Sequence, residues 1–257
     1  MRDPRLLQAA NVVGFSATLV VNILANALPI NGRTTAELSD AYPNLFTPAG
    51  YVFSIWGIIY ALLLVFTVYQ ALPSRRGEAF LQRIGLYFLL GSAANVAWIF
   101  LWHYEHVLVS VLAMFALLLS LILAYLRLGV GGGEASKGER IYVHLPFSVY
   151  LGWITVAPIA NVAAALVSVG WGGLGIGEVV WTVLMIAVAV VVAGLMILRR
   201  GDTAYSLVIV WALGGIMSKQ TGVQGIVLAS GAGILAIVAM LVAKKVVLRS
   251  DGLLYMT

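Results

Sequence analysis

The side chains in this sequence that are best suited to form a binding site are aromatic and amide groups. They recur at helical spacing within apolar segments. In "YVFSIWGIIYALL", Phe53, Trp56 and Tyr60 stand three and four positions apart, and residues at such spacing share one face of an α-helix. Indole and phenol rings stack on planar ligands, and their polar edges form hydrogen bonds. This face therefore predicts one wall of a binding site for a flat, largely apolar molecule.

Three other apolar segments carry comparable stripes, one of which is "PFSVYLGWITVAPIAN". Asn22 and Asn26 stand four positions apart, and "ANVAWIFLW" aligns Asn95 with Trp98. An amide at membrane depth costs free energy unless it finds a partner, so we expect these faces to point into the protein. The candidate ligand-binding residues are Asn22, Asn26, Phe53, Trp56, Tyr60, Asn95, Trp98, Tyr150, Trp153 and Asn161.

A simpler interpretation gives each of these residues a structural role. Asparagine amides join transmembrane helices through hydrogen bonds, and aromatic rings fill cores or form belts at the membrane surface. Trp102, near the outer end of its helix, fits such a belt especially well. For the whole set we favour a shared cavity, because several inward Trp and Tyr side chains at mid-depth exceed what helix packing requires.

The elements that must position these residues are transmembrane helices. Hydrophobic residues make up 62% of the 257 positions and charged residues only 10%, which leaves too little polar surface for a water-soluble domain. About 20 apolar residues cross the hydrocarbon core of a bilayer. We predict an all-α integral protein of the cell membrane with eight such helices, at 6–29, 50–72, 83–103, 107–129, 143–168, 178–198, 203–219 and 226–247.

The distribution of basic residues predicts the orientation. If the N-terminus is cytoplasmic, 13 of the 15 Lys and Arg residues fall in cytoplasmic segments, and Arg33 and Lys219 fall outside. Short cytoplasmic loops carry this excess in membrane proteins, so we predict that both termini are cytoplasmic. The net charge of +5 follows from these flanks and does not favour nucleic acid as a partner. Membrane lipid and a small hydrophobic ligand are the expected partners.

The composition divides the chain into residues 1–170, with most aromatic and amide side chains, and residues 171–257, which are mainly aliphatic. The glycine-rich stretch "GWGGLGIGE" separates the two parts. No internal repeat is evident, so the pattern of an inverted-repeat transporter finds no support.

Three sequence blocks resemble the TspO/MBR family, the translocator proteins or tryptophan-rich sensory proteins. Pro48 and "IWGIIY" resemble its second-helix block, a Pro-Pro pair before "VW…LY", with Thr47 at the first proline. "SAANVAWIFLW" resembles its third-helix "LNxxW" block. "HLPFSVYLGWITVAPIAN" is similar to its fifth-helix "PYxxWxxFxxxLN" block, with the spacing from Pro146 to Trp153 longer by three residues. The resemblance covers about residues 6–168.

The resemblance implies a five-helix bundle that binds porphyrins, other tetrapyrroles or sterol-like molecules, as a sensor or a transporter. It also implies a bound porphyrin or haem and a tendency to form homodimers. The last three helices depart from the five-helix family, and the resemblance implies nothing about them. Two alternatives stay open: a secondary transporter of small hydrophobic molecules, and a structural membrane protein that binds a partner chain.

Other polar residues give weaker signals. His103, Glu105 and His106 could ligate a metal, but no further strong ligand is evident nearby. A histidine such as His144 could ligate haem, and a lysine such as Lys219 could form a Schiff base with retinal. Both residues are nevertheless expected at exposed helix ends. The chain has no cysteine and no catalytic dyad, triad or phosphate-binding loop, so no motif favours an enzyme.

Overall fold

The computed structural model of this protein describes residues 3–132 and 135–254, with the side chains of the last helix described up to residue 246. Every regular element within these ranges is helical. A 3-10 turn, Gly50–Ser54, leads into the helix that begins at Ile55. A π-helical turn, Arg140–His144, joins the short helix that ends at Glu139 to the long helix that begins at Leu145. The helices are α1 (Pro4–Ala27), α2 (Thr35–Asp40), α3 (Ile55–Ala71), α4 (Ala79–Ile84), α5 (Tyr87–His103), α6 (Val107–Leu128), α7 (Lys137–Glu139), α8 (Leu145–Ser168), α9 (Glu178–Arg200), α10 (Thr203–Lys219) and α11 (Gln224–Leu254).

The long helices agree with the apolar runs of the sequence. Six spans in the described part of the chain are long and apolar enough to cross a membrane. They contain α1, α3, α6, α8, α9 and α11. Two of the predicted spans correspond to shorter helices, since α5 and α10 have 17 residues each. The chain is therefore an all-helical integral membrane protein, and the count of eight crossings stays a prediction.

Local sequence explains several helix ends. Asp3 accepts a hydrogen bond from the backbone N–H of Arg5, and Pro4 occupies the first turn of α1, where a missing N–H costs nothing. Gly129 and Gly201 end α6 and α9 in the left-handed conformation, which glycine adopts without strain.

Five helices form a closed ring. In order around the ring, α1 packs on α3, α3 on α8, α8 on α6, α6 on α5, and α5 again on α1. The remaining long helices, α9, α10 and α11, pack on one another beside this ring. Of these three, α10 makes the extensive contact with the ring, through α8 and the turn before α3.

Two glycines permit this close docking of α10. A Cβ atom at Gly152 of α8 would lie 2.9 Å from the backbone oxygen of Tyr205 in α10. A Cβ atom at Gly215 of α10 would overlap the side chain of Val52. Small residues of this kind allow transmembrane helices to approach closely. The division of the chain at residue 170 stays a prediction, but α10 is packed firmly against the first part.

Side-chain contacts define two opposite ends of the bundle. At one end Gln8 donates to the carbonyl of Gln70 (2.6 Å), and the Tyr125 hydroxyl donates to Asp202 (2.7 Å). We call this end the basic face. It carries most of the basic side chains that the structure describes: Arg5, Arg75, Arg76, Arg83, Arg127, Lys137, Arg140, Arg199, Arg200, Lys244 and Lys245.

We call the opposite end the lid face, because the chain between α1 and α3 covers it. Its basic residues with described side chains are Arg33 and Lys219. Arg33 lies 3.7 Å from Glu105, and Lys219 pairs with Asp40 at 2.8 Å. The asymmetry of basic residues that the sequence predicts thus coincides with the two ends of the fold.

Candidate functional site

Aromatic side chains of α3, its leading turn and α8 meet inside the ring. Trp56 contacts Tyr150 and Trp153 edge-on, with ring centroids 6.0 and 6.3 Å apart, and Phe53 meets Trp153 at 5.9 Å. Tyr60 stacks on Trp56 at 5.4 Å. Edge-to-face and stacked pairs of this kind contribute about 0.5–1.5 kcal/mol each beyond burial. The result is a continuous aromatic wall.

The opposite wall comes from α5. Trp98 and Trp102 stack with centroids 5.9 Å apart, since residues four apart share a helix face. The indole N–H of Trp98 donates to the amide oxygen of Asn161 in α8 at 2.9 Å, and the amide nitrogen of Asn161 donates to the Ser110 hydroxyl at 3.0 Å. This chain of hydrogen bonds fixes the orientation of the Trp98 ring.

A cavity of about 50 Å³ lies between the two walls. That volume suffices for a few water molecules. Pockets that hold drug-sized ligands measure about 300–1,000 Å³, so a planar macrocycle requires the walls or the cover to move. The lining is formed by Thr35, Ser39, Pro48, Phe53, Trp56, Trp98, Trp102, Met114, Trp153, Val156, Ala157, Ala160 and Asn161.

The cover of the cavity is the short helix α2. Thr34 and Glu37 form a capping box at its start, in which each side chain bonds the other's backbone N–H. The hydrogen bond from the Thr34 backbone, and then that from its hydroxyl, lower the pKa of Glu37 below its ordinary value. At the other end, the ion pair between Asp40 and Lys219 ties α2 to α10. Glu37 therefore stabilises the start of α2, and Asp40 fixes its end to α10.

Three polar atoms of the lining residues lack partners. The hydroxyl of Thr35 and the indole N–H groups of Trp102 and Trp153 are buried and find no hydrogen-bond partner among the described residues. A buried donor without an acceptor costs about 1–3 kcal/mol. Such groups in a native protein call for an explanation, and an acceptor on a bound molecule supplies one.

Five of the ten sequence-predicted residues belong to the lining of this cavity. They are Phe53, Trp56, Trp98, Trp153 and Asn161. They come from three different ring helices and the turn before α3. Their identity as ligand contacts stays a prediction, but the fold brings them around one space.

The other five residues lie beside the lining or away from it. Asn22 donates to the amide oxygen of Asn95 at 2.7 Å, which joins α1 to α5. The Tyr150 hydroxyl is buried without a hydrogen-bond partner among the described residues, and the Tyr60 ring stacks on Trp56. Asn26 is exposed and donates to the carbonyl of Asn22 at 2.9 Å. These contacts are those of helix packing.

Sequence reasoning missed part of the lining. Trp102 is only 4% exposed and belongs to the lining, so its assignment to an interfacial belt was wrong. Its position four residues after Trp98 is the signal that could have identified it. Thr35 and Ser39 lie between the predicted spans 6–29 and 50–72, where the capping-box sequence at Thr34 marks a helix start.

The remaining polar candidates have structural partners. His103 is buried with its Nδ1 2.8 Å from the carbonyl of Ile99, and Glu105 accepts a hydrogen bond from Tyr42. His144 was expected to be exposed but is buried, 3.4 Å from Glu139. Within the described residues no three His, Cys, Asp or Glu side chains form a metal-binding group. A bound porphyrin or haem, and dimerisation, stay predictions.

Comparison with known protein families gives a match to a family described as TSPO-like protein, over residues 8–243. The match confirms the resemblance seen in the sequence blocks. It also extends past residue 168, so α9, α10 and the first part of α11 lie within the region that the family describes. Neither the comparison with curated proteins nor that with solved structures found a match.

Proposed function

Because this chain belongs to the TSPO-like protein family, we propose that it binds a planar hydrophobic ligand in the cavity between α3, α5 and α8. The observation that carries the proposal is the convergence of Phe53, Trp56, Trp98, Trp102 and Trp153 around one space. Flat aromatic faces from separate helices suit a flat apolar ring, since dispersion and stacking act over its whole area.

The polar atoms of the lining indicate which functional groups the ligand carries. Trp102 and Trp153 each offer an N–H donor, and Thr35 offers a hydroxyl. A ligand that carries an acceptor at its edge, such as the carboxylate of a porphyrin or the oxygen of a sterol-like molecule, would satisfy these groups. A purely hydrocarbon ligand would leave the donors unpaired at a cost of about 1–3 kcal/mol each.

Entry of such a ligand requires the cavity to enlarge from its present size of about 50 Å³. The cover helix α2 is the element best suited to move, because it is short and lies on the lid face. Its outer connections are exposed polar contacts, chiefly the ion pair of Asp40 with Lys219 and the hydrogen bond of Tyr42 with Glu105. Exposed contacts of this kind cost little to break.

Quenching of tryptophan fluorescence by protoporphyrin IX tests the proposal. We expect saturable quenching in the purified protein, and about tenfold weaker binding in Trp153→Phe, which keeps a ring and removes the N–H donor. Trp181→Phe is the matched control, because the Trp181 N–H donates to the carbonyl of Gly173 outside the cavity. Absence of saturable quenching in folded protein, or equal weakening in both variants, would refute the proposal.

A second measurement separates binding from transport. Counterflow of labelled porphyrin into proteoliposomes would assign a transport role to the same cavity, whereas binding without flux would leave a receptor or sensor. A stable partner chain that co-purifies from the native membrane would instead favour a structural role for the last three helices.

We further propose that eight helices cross the cell membrane and that the basic face, with both ends of this chain, is cytoplasmic. The bias of Lys and Arg towards that face supports this orientation. The chain has no cysteine, so single cysteines report the topology directly. An impermeant maleimide added to intact cells should label Tyr104→Cys on the lid face and spare Lys137→Cys on the basic face. The opposite pattern would reverse the orientation.

A further inference from the structure

A second and larger cavity lies at the basic face, between the ring and the last three helices. Its volume is about 530 Å³, within the range of small-molecule sites. It is separate from the aromatic cavity and shares no lining residue with it. The described lining includes Arg140, Ser148, Arg199, Arg200, Asp202 and Lys244.

Positive charge dominates this lining. Arg140, Arg199, Arg200 and Lys244 come from three different parts of the chain and surround one space. Asp202 is the acidic side chain in the described lining, and its carboxylate is already engaged by the Tyr125 hydroxyl and the Tyr205 backbone N–H. Like charges around a low-dielectric cleft repel one another and raise the local concentration of anions. An anion in the cavity would therefore stabilise this arrangement.

Hydrogen-bond donors accompany the charges. The cavity lies at the start of α10, where Asp202 caps the N–H of Tyr205 and the lining includes Thr203 and Ala204. The first N–H groups of a helix have no acceptor within it, and the helix dipole favours a negative group at this point. Ser148 adds a hydroxyl from α8. Charge and donors together match a phosphate group, which accepts several hydrogen bonds at once.

The walls are held by contacts within the protein. Lys244 donates to the carbonyls of Ile197 and Leu198 at the end of α9 and so caps that helix. Gly131 has a φ of +72°, and a Cβ atom there would overlap the carbonyl of Arg200. The loop after α6 thus rests directly on the end of α9.

The arginines at the end of α9 are the groups most available to a ligand. Among the described residues, no hydrogen bond or ion pair engages the guanidinium group of Arg199 or Arg200. Guanidinium forks bind phosphate oxygens in pairs, with more geometric specificity than an ammonium group provides.

We propose that this cavity binds the phosphate headgroup of an acidic phospholipid from the leaflet at the basic face. The surrounding surface suits the rest of such a lipid. Leu198 on α9, Leu207 on α10 and Val242 on α11 are exposed apolar residues near the same end of the bundle, where acyl chains would lie. Basic pockets between transmembrane helices bind acidic lipid headgroups in this way. The site is independent of the aromatic cavity.

Retention of lipid by the purified protein tests the proposal. The protein is extracted from membranes that contain phosphatidylcholine and phosphatidylglycerol, and its bound lipid is measured by native mass spectrometry. We expect selective retention of phosphatidylglycerol, reduced about tenfold or more in the double variant Arg199→Gln/Arg200→Gln. The variant Arg199→Lys/Arg200→Lys keeps the charge and should retain an intermediate amount, which guards against a folding defect in the first variant.

The control variant is Arg5→Gln/Lys245→Gln. It removes the same charge from the basic face at exposed positions outside the cavity, so it should retain lipid as the unmodified protein does. Titration with sn-glycerol 1-phosphate distinguishes the source of the phosphate: binding of this soluble headgroup without lipid retention would replace the lipid by a soluble phosphate ester. Equal loss in the control, or no selectivity for the acidic lipid, would overturn the proposal.

Discussion

The role of α10 in shaping the aromatic cavity can be tested at Gly215. This glycine packs against the turn Gly50–Ser54, whose Phe53 lines the cavity. The contact is reinforced by two hydrogen bonds of 3.1 Å each, from the backbone N–H of Ala49 to the carbonyl of Gly215 and from the Trp211 indole to the carbonyl of Val52. The variant Gly215→Ala adds a single methyl group at this contact.

The expected magnitude follows from the space around Gly215. A Cβ atom there would overlap the Val52 side chain and lie 3.1 Å from the Cβ of Pro48, whereas carbon atoms prefer about 3.5–4.0 Å. Val52 is fully buried and β-branched, so its side chain has little freedom to rotate away. Overpacking of this kind costs about 1–3 kcal/mol. For a protein of this size the midpoint of thermal unfolding should fall by about 2–12 °C.

Ligand binding should weaken together with stability. Relief of the overlap moves the turn that carries Phe53, and Phe53 is only 5.9 Å from Trp153 across the aromatic wall. The assays are thermal unfolding in detergent and protoporphyrin quenching. Gly214→Ala is the control, because a Cβ atom there meets nothing within 4 Å, and the loss of a helical glycine should stabilise by about 0.5–1 kcal/mol. If both variants unfold and bind alike, α10 does not shape the cavity as argued.

Two further predictions concern the site. Asn161→Leu leaves the Trp98 N–H without its acceptor, so we expect a loss of about 1–3 kcal/mol in the free energy of unfolding, measured in mixed micelles; no change would mean that this hydrogen bond is not made. Lys219→Gln removes the exposed ion pair with Asp40, so stability should change by less than about 1 kcal/mol while stopped-flow quenching shows faster porphyrin association. An unchanged association rate would argue against α2 as the moving cover.

The sequence predicts the positions of the helices better than the placement of the side chains. Each of the eight predicted apolar runs overlaps one long helix, and the predicted helix starts lie within five residues of the observed ones. This agreement has a simple reason, since a long apolar run in a membrane must satisfy its backbone groups within itself and becomes a helix. The family resemblance likewise depended on local blocks of sequence, and the family match agrees with it.

Side-chain placement could be predicted only in part. Phe53, Trp56 and Trp98, which helical periodicity singles out, line one cavity, but a stripe does not reveal which neighbour it faces. Asn26 shares the spacing of Asn22 and is nevertheless exposed, while Trp102 looked interfacial and is buried. The difference arises from the rotation of each helix in the ring, which depends on all its neighbours at once.

The docking of α10 and the basic cavity depend on packing between distant parts of the chain. The docking of α10 against the turn before α3 joins residues more than 150 positions apart, such as Val52 and Trp211, and no local pattern predicts it. The same holds for the basic cavity, whose arginines and lysine come from three separate parts of the chain. Composition and periodicity suffice to predict a helical membrane protein with a basic end, because those properties depend on each segment alone. The ring order, the small cavity and its cover depend on how the segments fit together, and a one-dimensional pattern contains no information about that fit.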